Sequence, residues 1–174
     1  MTTRRQTTAL LATLGCAPAL AGTHQVIDAF AREGVRFTIP DGWWFEDAPD
    51  GGALQLFSQV IDGGVDASAI IELPTVVQAS VVDERLRSAL ERKRRTLRNY
   101  VERVATRGQT KKGLWYSVLE YEAEVKSVEV VERLAYLLLP RSRYSHFFTS
   151  MSRRTERKHM PQVEAFLNSI SAAG

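Results

Sequence analysis

The chain has 174 residues, 44% of them hydrophobic, which suits one domain able to bury a full core without staples. It carries 23 Lys+Arg against 20 Asp+Glu, and two of those cations, Arg4 and Arg5, stand at the extreme N-terminus, so the remainder of the chain is close to neutral. That balance excludes a strongly electrostatic partner such as nucleic acid.

The first elements are those of an export signal. Met1 to Arg5 is a positive start, Ala9-Leu10-Leu11-Ala12-Thr13-Leu14 is a short apolar run, and Ala19-Leu20-Ala21 is a small-x-small cleavage site. The run is too short to span a bilayer as a helix. Residues 1–21 are therefore expected to be a signal peptide cleaved after Ala21, and residues 22–174 one domain placed in the periplasm or secreted. Arg4-Arg5 after Thr3 leaves twin-arginine export open, although Thr7 replaces the usual large apolar residue. Cys16 is the only cysteine and lies inside the leader, so the mature chain has no thiol and no disulfide. Lipidation of Cys16 would give peripheral membrane association. Against it, Thr13 occupies the place where a lipobox has Leu.

Beyond the leader, Val35 to Ile39 alternates apolar and polar residues and stops at Pro40, the pattern of a strand. Asp41-Gly42 makes a turn before Trp43-Trp44-Phe45, and Asp50-Gly51-Gly52 makes the next. Leu54–Val60 and Ala69–Leu73 read as strands separated by the Asp62-Gly63-Gly64 loop. Ser80 followed by Asp83 resembles a capping box. Val82, Leu86, Ala89, Leu90, Leu97, Tyr100 and Val101 then mark one face of a helix. The cations Arg92 to Arg95 and Arg98 would suit a polyanion, but at a helix C-terminus they also complement the dipole, and Glu91 can pair with Arg95. A short strand is expected over Glu102–Thr106, then a long pair, Leu114–Val125 and Val128–Leu139, joined at Lys126-Ser127. Tyr144–Ser152 reads as a further strand. A helix from about His159 to Ser169 closes the chain, with Pro161 fitting its first turn.

Strands in sequence neighbourhood with short turns predict an α+β fold, a mostly antiparallel sheet covered by helices. Phe37-Thr38-Ile39-Pro40-Asp41-Gly42-Trp43 resembles the opening of the PsbP-like and DcrB-related proteins, where a strand ends in Pro-x-Gly-Trp. Gly113-Leu114-Trp115-Tyr116 and the closing Asn168-Ser169-Ile170 come in matching order, so the resemblance spans about residues 30–171. It implies an α/β/α sandwich and a small adaptor, assembly or binding protein of the cell envelope. Several such proteins are periplasmic lipoproteins. Others resemble Eag-type chaperones for type VI effectors, which act in the cytoplasm and so fit the leader poorly. The resemblance supplies no shared catalytic residue.

No motif for chemistry stands out. His24, His146 and His159 have no ligand spacing, and His-Glu-x-x-His, Gly-x-Ser-x-Gly and phosphate-loop patterns are absent from the sequence. A triad assembled in space around His146 is not excluded by sequence. Asp47, Asp50, Asp62 and Asp66 match no calcium loop and are ordinary turn residues. No cofactor or metal is therefore expected.

Three features are expected to matter. Trp44 points away from the Trp43/Phe45 side and is either covered by a helix or free for contact. Glu120, Glu122, Glu124 and Glu129 gather toward the hairpin end of one sheet face. That face is either half-covered by a helix or open to a basic partner. Lys93 breaks the helix stripe and Glu132 breaks the opposing strand face, where the Lys126-Ser127 turn sets it opposite Tyr121. An unpaired charge at either place is costly, so the two are expected to meet as an ion pair, unless each reaches water separately. The expectation is an exported, non-enzymatic protein whose partner is another protein. Alternatives are a small-ligand or metal carrier, an immunity-type inhibitor of a secreted toxin, and an enzyme of another type.

Overall fold

The computed structural model describes residues 25–58 and 66–173. The expected leader with Cys16, together with His24 and the expected Asp62-Gly63-Gly64 loop, lies outside these residues. In chain order the elements are α1 (Gln25–Arg32), β1 (Val35–Arg36), β2 (Trp44–Asp47), β3 (Ala53–Phe57), β4 (Ala67–Glu72), β5 (Thr75–Val76) and α2 (Ala79–Thr96). The chain continues through β6 (Arg98–Gln109), β7 (Trp115–Val125), β8 (Val128–Leu139), β9 (Arg143–Ser152), α3 (Glu156–Ser169) and β10 (Ser171–Ala172).

The main sheet is eight-stranded and runs β2-β3-β4-β9-β8-β7-β6, with β5 paired to β9 beside that path. Its pairings are antiparallel throughout. Lys126 and Ser127 both take positive φ, 49° and 64°, so the β7–β8 hairpin closes on two left-handed residues, the twist that matches the flanking strands. This turn sets the register and places Glu132 opposite Tyr121 and Arg133 opposite Glu120.

Period-2 alternation splits the sheet residues between two cores. Leu54, Leu56, Ile71, Val131, Leu137, Phe147 and Met151 pack with Phe30 of α1 and with Val163, Phe166 and Leu167 of α3. On the opposite face Leu119, Tyr121, Ala123, Val130 and Leu134 pack with Ala89, Leu86 and Leu90 of α2. The result is an α/β/α sandwich. Among the described residues no helix is long and apolar enough to cross a membrane.

Several elements differ from their sequence reading. The strand expected over Val35–Ile39 is only Val35–Arg36, and it pairs with β10 in a separate two-stranded sheet. Helix α1 has no counterpart among the expected elements. Helix α2 begins after Gln78 with no side-chain cap, so Ser80 lies in its first turn rather than at its cap. It also ends at Thr96, where Leu97 turns extended and Asn99 comes next but one at φ 51°. Leu97 and Tyr100 still reach the second core, which is why they mimic a continued helical stripe, whereas Val101 is exposed. The short strand expected at Glu102–Thr106 is a twelve-residue edge strand, irregular at two points. Helix α3 starts at Glu156, so Pro161 stands beyond its first turn.

Candidate functional site

The acidic residues of β7 and β8 are largely taken up inside the molecule. Glu120 is 8% exposed; its Oε2 lies 2.7 Å from Arg133 Nη2, and its Oε1 lies 3.6 Å from Arg103. Arg133 also bonds Glu164 of α3. Arg103 of β6 donates to Glu122 at 2.6 Å and to Glu156 at the start of α3. Arg153 adds a second ion pair to Glu122, and Asn99 donates to Glu124 at 3.0 Å. Glu129 remains exposed. On the face expected to be half-covered or open to a basic partner, Glu120 and Glu122 are thus taken up by three arginines beside α3, while Glu124 is half-buried and Glu129 faces solvent. The reason is electrostatic: carboxylates entering a helix–sheet interface need compensating cations. One sign of this is in the sequence, since the hairpin register already sets Arg133 against Glu120.

The Arg103 bond holds the Glu156 carboxyl below the usual range, and the His146 bond does the same for Glu72. A carboxyl lowered by folding stabilises the fold above its unfolded value, ~4.3 for Glu, and this contribution disappears as pH falls through the lowered value. Wild type is therefore expected to be more stable to urea than Glu156→Gln near neutral pH. The gap should narrow as pH falls from neutral through the lowered Glu156 value. A gap that stays constant over that range would contradict the assignment.

On the α2 face, Lys93 and Glu132 stand together, with Nζ 3.2 Å from Oε2. Glu132 also accepts from the Tyr121 hydroxyl and, at 3.3 Å, from Ser150 Oγ. Burial, then the neighbouring Glu132, push the Tyr121 phenol far up, so it acts as a donor. The Lys93 ammonium lies 5.4 Å from the Phe148 ring centre.

Beside this cluster a cleft of about 560 Å³ opens between α2 and the sheet. Arg85, Ser88, Ala89 and Arg92 form its helix wall; Tyr136, His146 and Phe148 form its floor. The Tyr136 and His146 rings lie 5.0 Å apart at 33°. His146 Nδ1 is 3.0 Å from Glu72, and His146 Nε2 is buried with no partner among the described residues. A smaller pocket of about 310 Å³ adjoins it at the start of α2, lined in part by Tyr136, Tyr144 and the exposed Trp115. The sequence hides this cleft because its parts come from α2, β8 and β9. The usable signals are the shared face of His146 and Phe148 two residues apart, and Arg85 seven residues before Arg92 on one helix face.

Trp44 is 42% exposed and stacks on Phe57 at 4.4 Å. Phe57 and Ile70 are half-buried on the same face, and neither joins a hydrophobic core among the described residues. The β2–β3–β4 half of the α2 face thus presents aromatic and aliphatic surface beside the cleft. His159 is buried and packs edge-on to Trp43 at 6.0 Å, while Gln162 Oε1 sits 3.0 Å from its Nδ1. Asp50 accepts from the Gly52 N–H, an ordinary turn contact.

The sandwich is a PsbP-like fold, a mostly antiparallel sheet with helices on both faces. Three solved structures share it. LpqN of Mycobacterium tuberculosis, involved in cell envelope biogenesis, superposes with TM-score 0.60 at 8% identity, over 80% of this chain and 83% of its own. PA94 of Pseudomonas aeruginosa gives 0.56 at 13% identity, over 78% and 90%. The cyanobacterial PsbP of Synechocystis sp. PCC 6803, CyanoP, gives 0.55 at 14% identity, over 82% and 88%. No family model matches the sequence, and no curated protein does. At these identities the likeness establishes the fold alone.

Proposed function

We propose that this is an exported, non-enzymatic binding or assembly protein of the bacterial cell envelope, and that it works by contact with another protein. The observation that carries the reading is the open half of the α2 face, where Trp44 stacks on Phe57 yet keeps 42% of its surface in water. A large aromatic held rigid on a sheet and left partly exposed is the kind of anchor that dominates protein interfaces. The leader at residues 1–21 supports export, and LpqN, a protein of the same fold, is one involved in cell envelope biogenesis. Glu124 and Glu129, toward the β7–β8 hairpin tip, stand on the opposite face of the sheet from Trp44 and away from β2, so they lie outside this surface. Glu120 and Glu122 are spent on internal arginines.

Two measurements test this. N-terminal sequencing of native protein should begin at Gly22; an intact Met1 or Thr2 on protein isolated from the cytoplasm overturns export. Tagged protein should capture a specific partner from its own envelope fraction. Trp44→Ala should then weaken that complex about thirtyfold or more, the scale of a lost hot spot. Unchanged affinity would remove Trp44 from the interface and the reading with it.

A further inference from the structure

We propose that the cleft between α2 and β8–β9 binds a small aromatic anion, a planar apolar ring carrying a carboxylate or phosphate. Its volume, about 560 Å³, falls in the range of small-molecule sites. The helix wall carries the small residues Ser88 and Ala89 between Arg85 and Arg92, and this leaves a gap above the Tyr136–His146–Phe148 floor. A ring in that gap lies against aromatic faces, which favour offset stacking.

The charge of the site comes from α2. Lys93 is neutralised by Glu132, and His146 Nδ1 faces Glu72. Arg85 and Arg92 make no direct ion pair among the described residues, and both act electrostatically on the Tyr136 hydroxyl. Glu84 also lines the cleft, and Arg85 reaches Glu72 at longer range. Two guanidiniums thus line one cleft over an aromatic floor, with the unpartnered Nε2 of His146 in the same wall. Guanidinium forks hold carboxylate and phosphate with paired hydrogen bonds. The site is distinct from the Trp44 surface and does not depend on a protein partner.

The test is titration of the mature protein with 1-naphthoate, 1-naphthyl phosphate and the neutral 1-naphthylmethanol, monitored by calorimetry and amide NMR. At least one anion should bind about tenfold or more tighter than the alcohol. The largest shifts should fall at Tyr136, His146 and Phe148. Whichever anion binds more tightly separates a carboxylate ligand from a phosphate one. Arg85→Gln with Arg92→Gln, both exposed and so compatible with folding, should abolish the preference for the anion. Arg87→Gln, outside this cleft, should leave it intact. Three results would overturn the proposal: no binding of any naphthyl probe at millimolar concentration, equal binding of alcohol and anions, or an equal loss with Arg87→Gln.

Discussion

Replacing Arg133 with Met is expected to destabilise the protein by about 3 kcal/mol or more, because it strands the buried Glu120 carboxylate. Arg133 grips Glu120 through Nε at 3.0 Å and Nη2 at 2.7 Å, and its third nitrogen bonds Glu164 on α3. Glu120 is 8% exposed, so water cannot replace the guanidinium. Arg103 stands 3.6 Å from the other Glu120 oxygen, but its short contacts go to Glu122 and Glu156. Adding Glu120→Leu to Arg133→Met should recover most of the loss, since an apolar pair of similar volume replaces a buried ion pair at little cost. Glu164, nearly half exposed, then turns to water. Urea unfolding at neutral pH measures all three proteins. If Arg133→Met loses less than about 1 kcal/mol, the range of an exposed pair, the network does not hold α3 to the sheet.

The second large effect is expected at Glu132. Glu132→Ala removes the partner of Lys93 and the acceptor of a Tyr121 hydroxyl that is wholly buried. The loss should be about 3 kcal/mol or more. Lys93→Ala strands a carboxylate that is 8% exposed and should cost nearly as much, although Ser150 and Tyr121 still donate to it. Lys93→Met combined with Glu132→Leu and Tyr121→Phe removes both charges and the buried phenol hydroxyl together, leaving only the half-buried Ser150 hydroxyl. It should therefore cost much less than either single change. Equal losses in the triple and single variants would mean that packing volume, not charge pairing, governs the site.

Acid lability should follow from two separate pairs, because Glu156 beside Arg103 and Glu72 beside His146 have carboxyls held low by their partners. Each contributes stability at neutral pH that protonation removes. The Lys93–Glu132 cluster and the Arg133 network lie on opposite faces of the sheet and share no partner, although Glu132 and Arg133 are adjacent in β8.

Much of the β7–β8 hairpin is legible in the sequence. Strict alternation assigns each residue a face, and two turn residues pin the register, so Glu132 opposite Tyr121 and Arg133 opposite Glu120 can be read directly. The final helix and the packing side of Trp43 are legible for the same local reason. What periodicity cannot show is which strands become neighbours. Strand β9 lies between β4 and β8, and only that placement brings His146 to Tyr136 and Glu72, and Phe148 to Lys93. The end of α2 is deceptive in sequence because Leu97 and Tyr100 return to the same core from an irregular strand and so imitate a helical stripe. The acidic patch is deceptive because Arg103 and Arg153, its neutralising cations, arrive from elements about 20 to 30 residues away in sequence. Local chemistry determined the strands, their faces and the two residues that needed partners. Long-range pairing, whose energy depends on the folded sheet, decided which carboxylates were consumed, which tryptophans kept part of their surface in water and where a cleft was left.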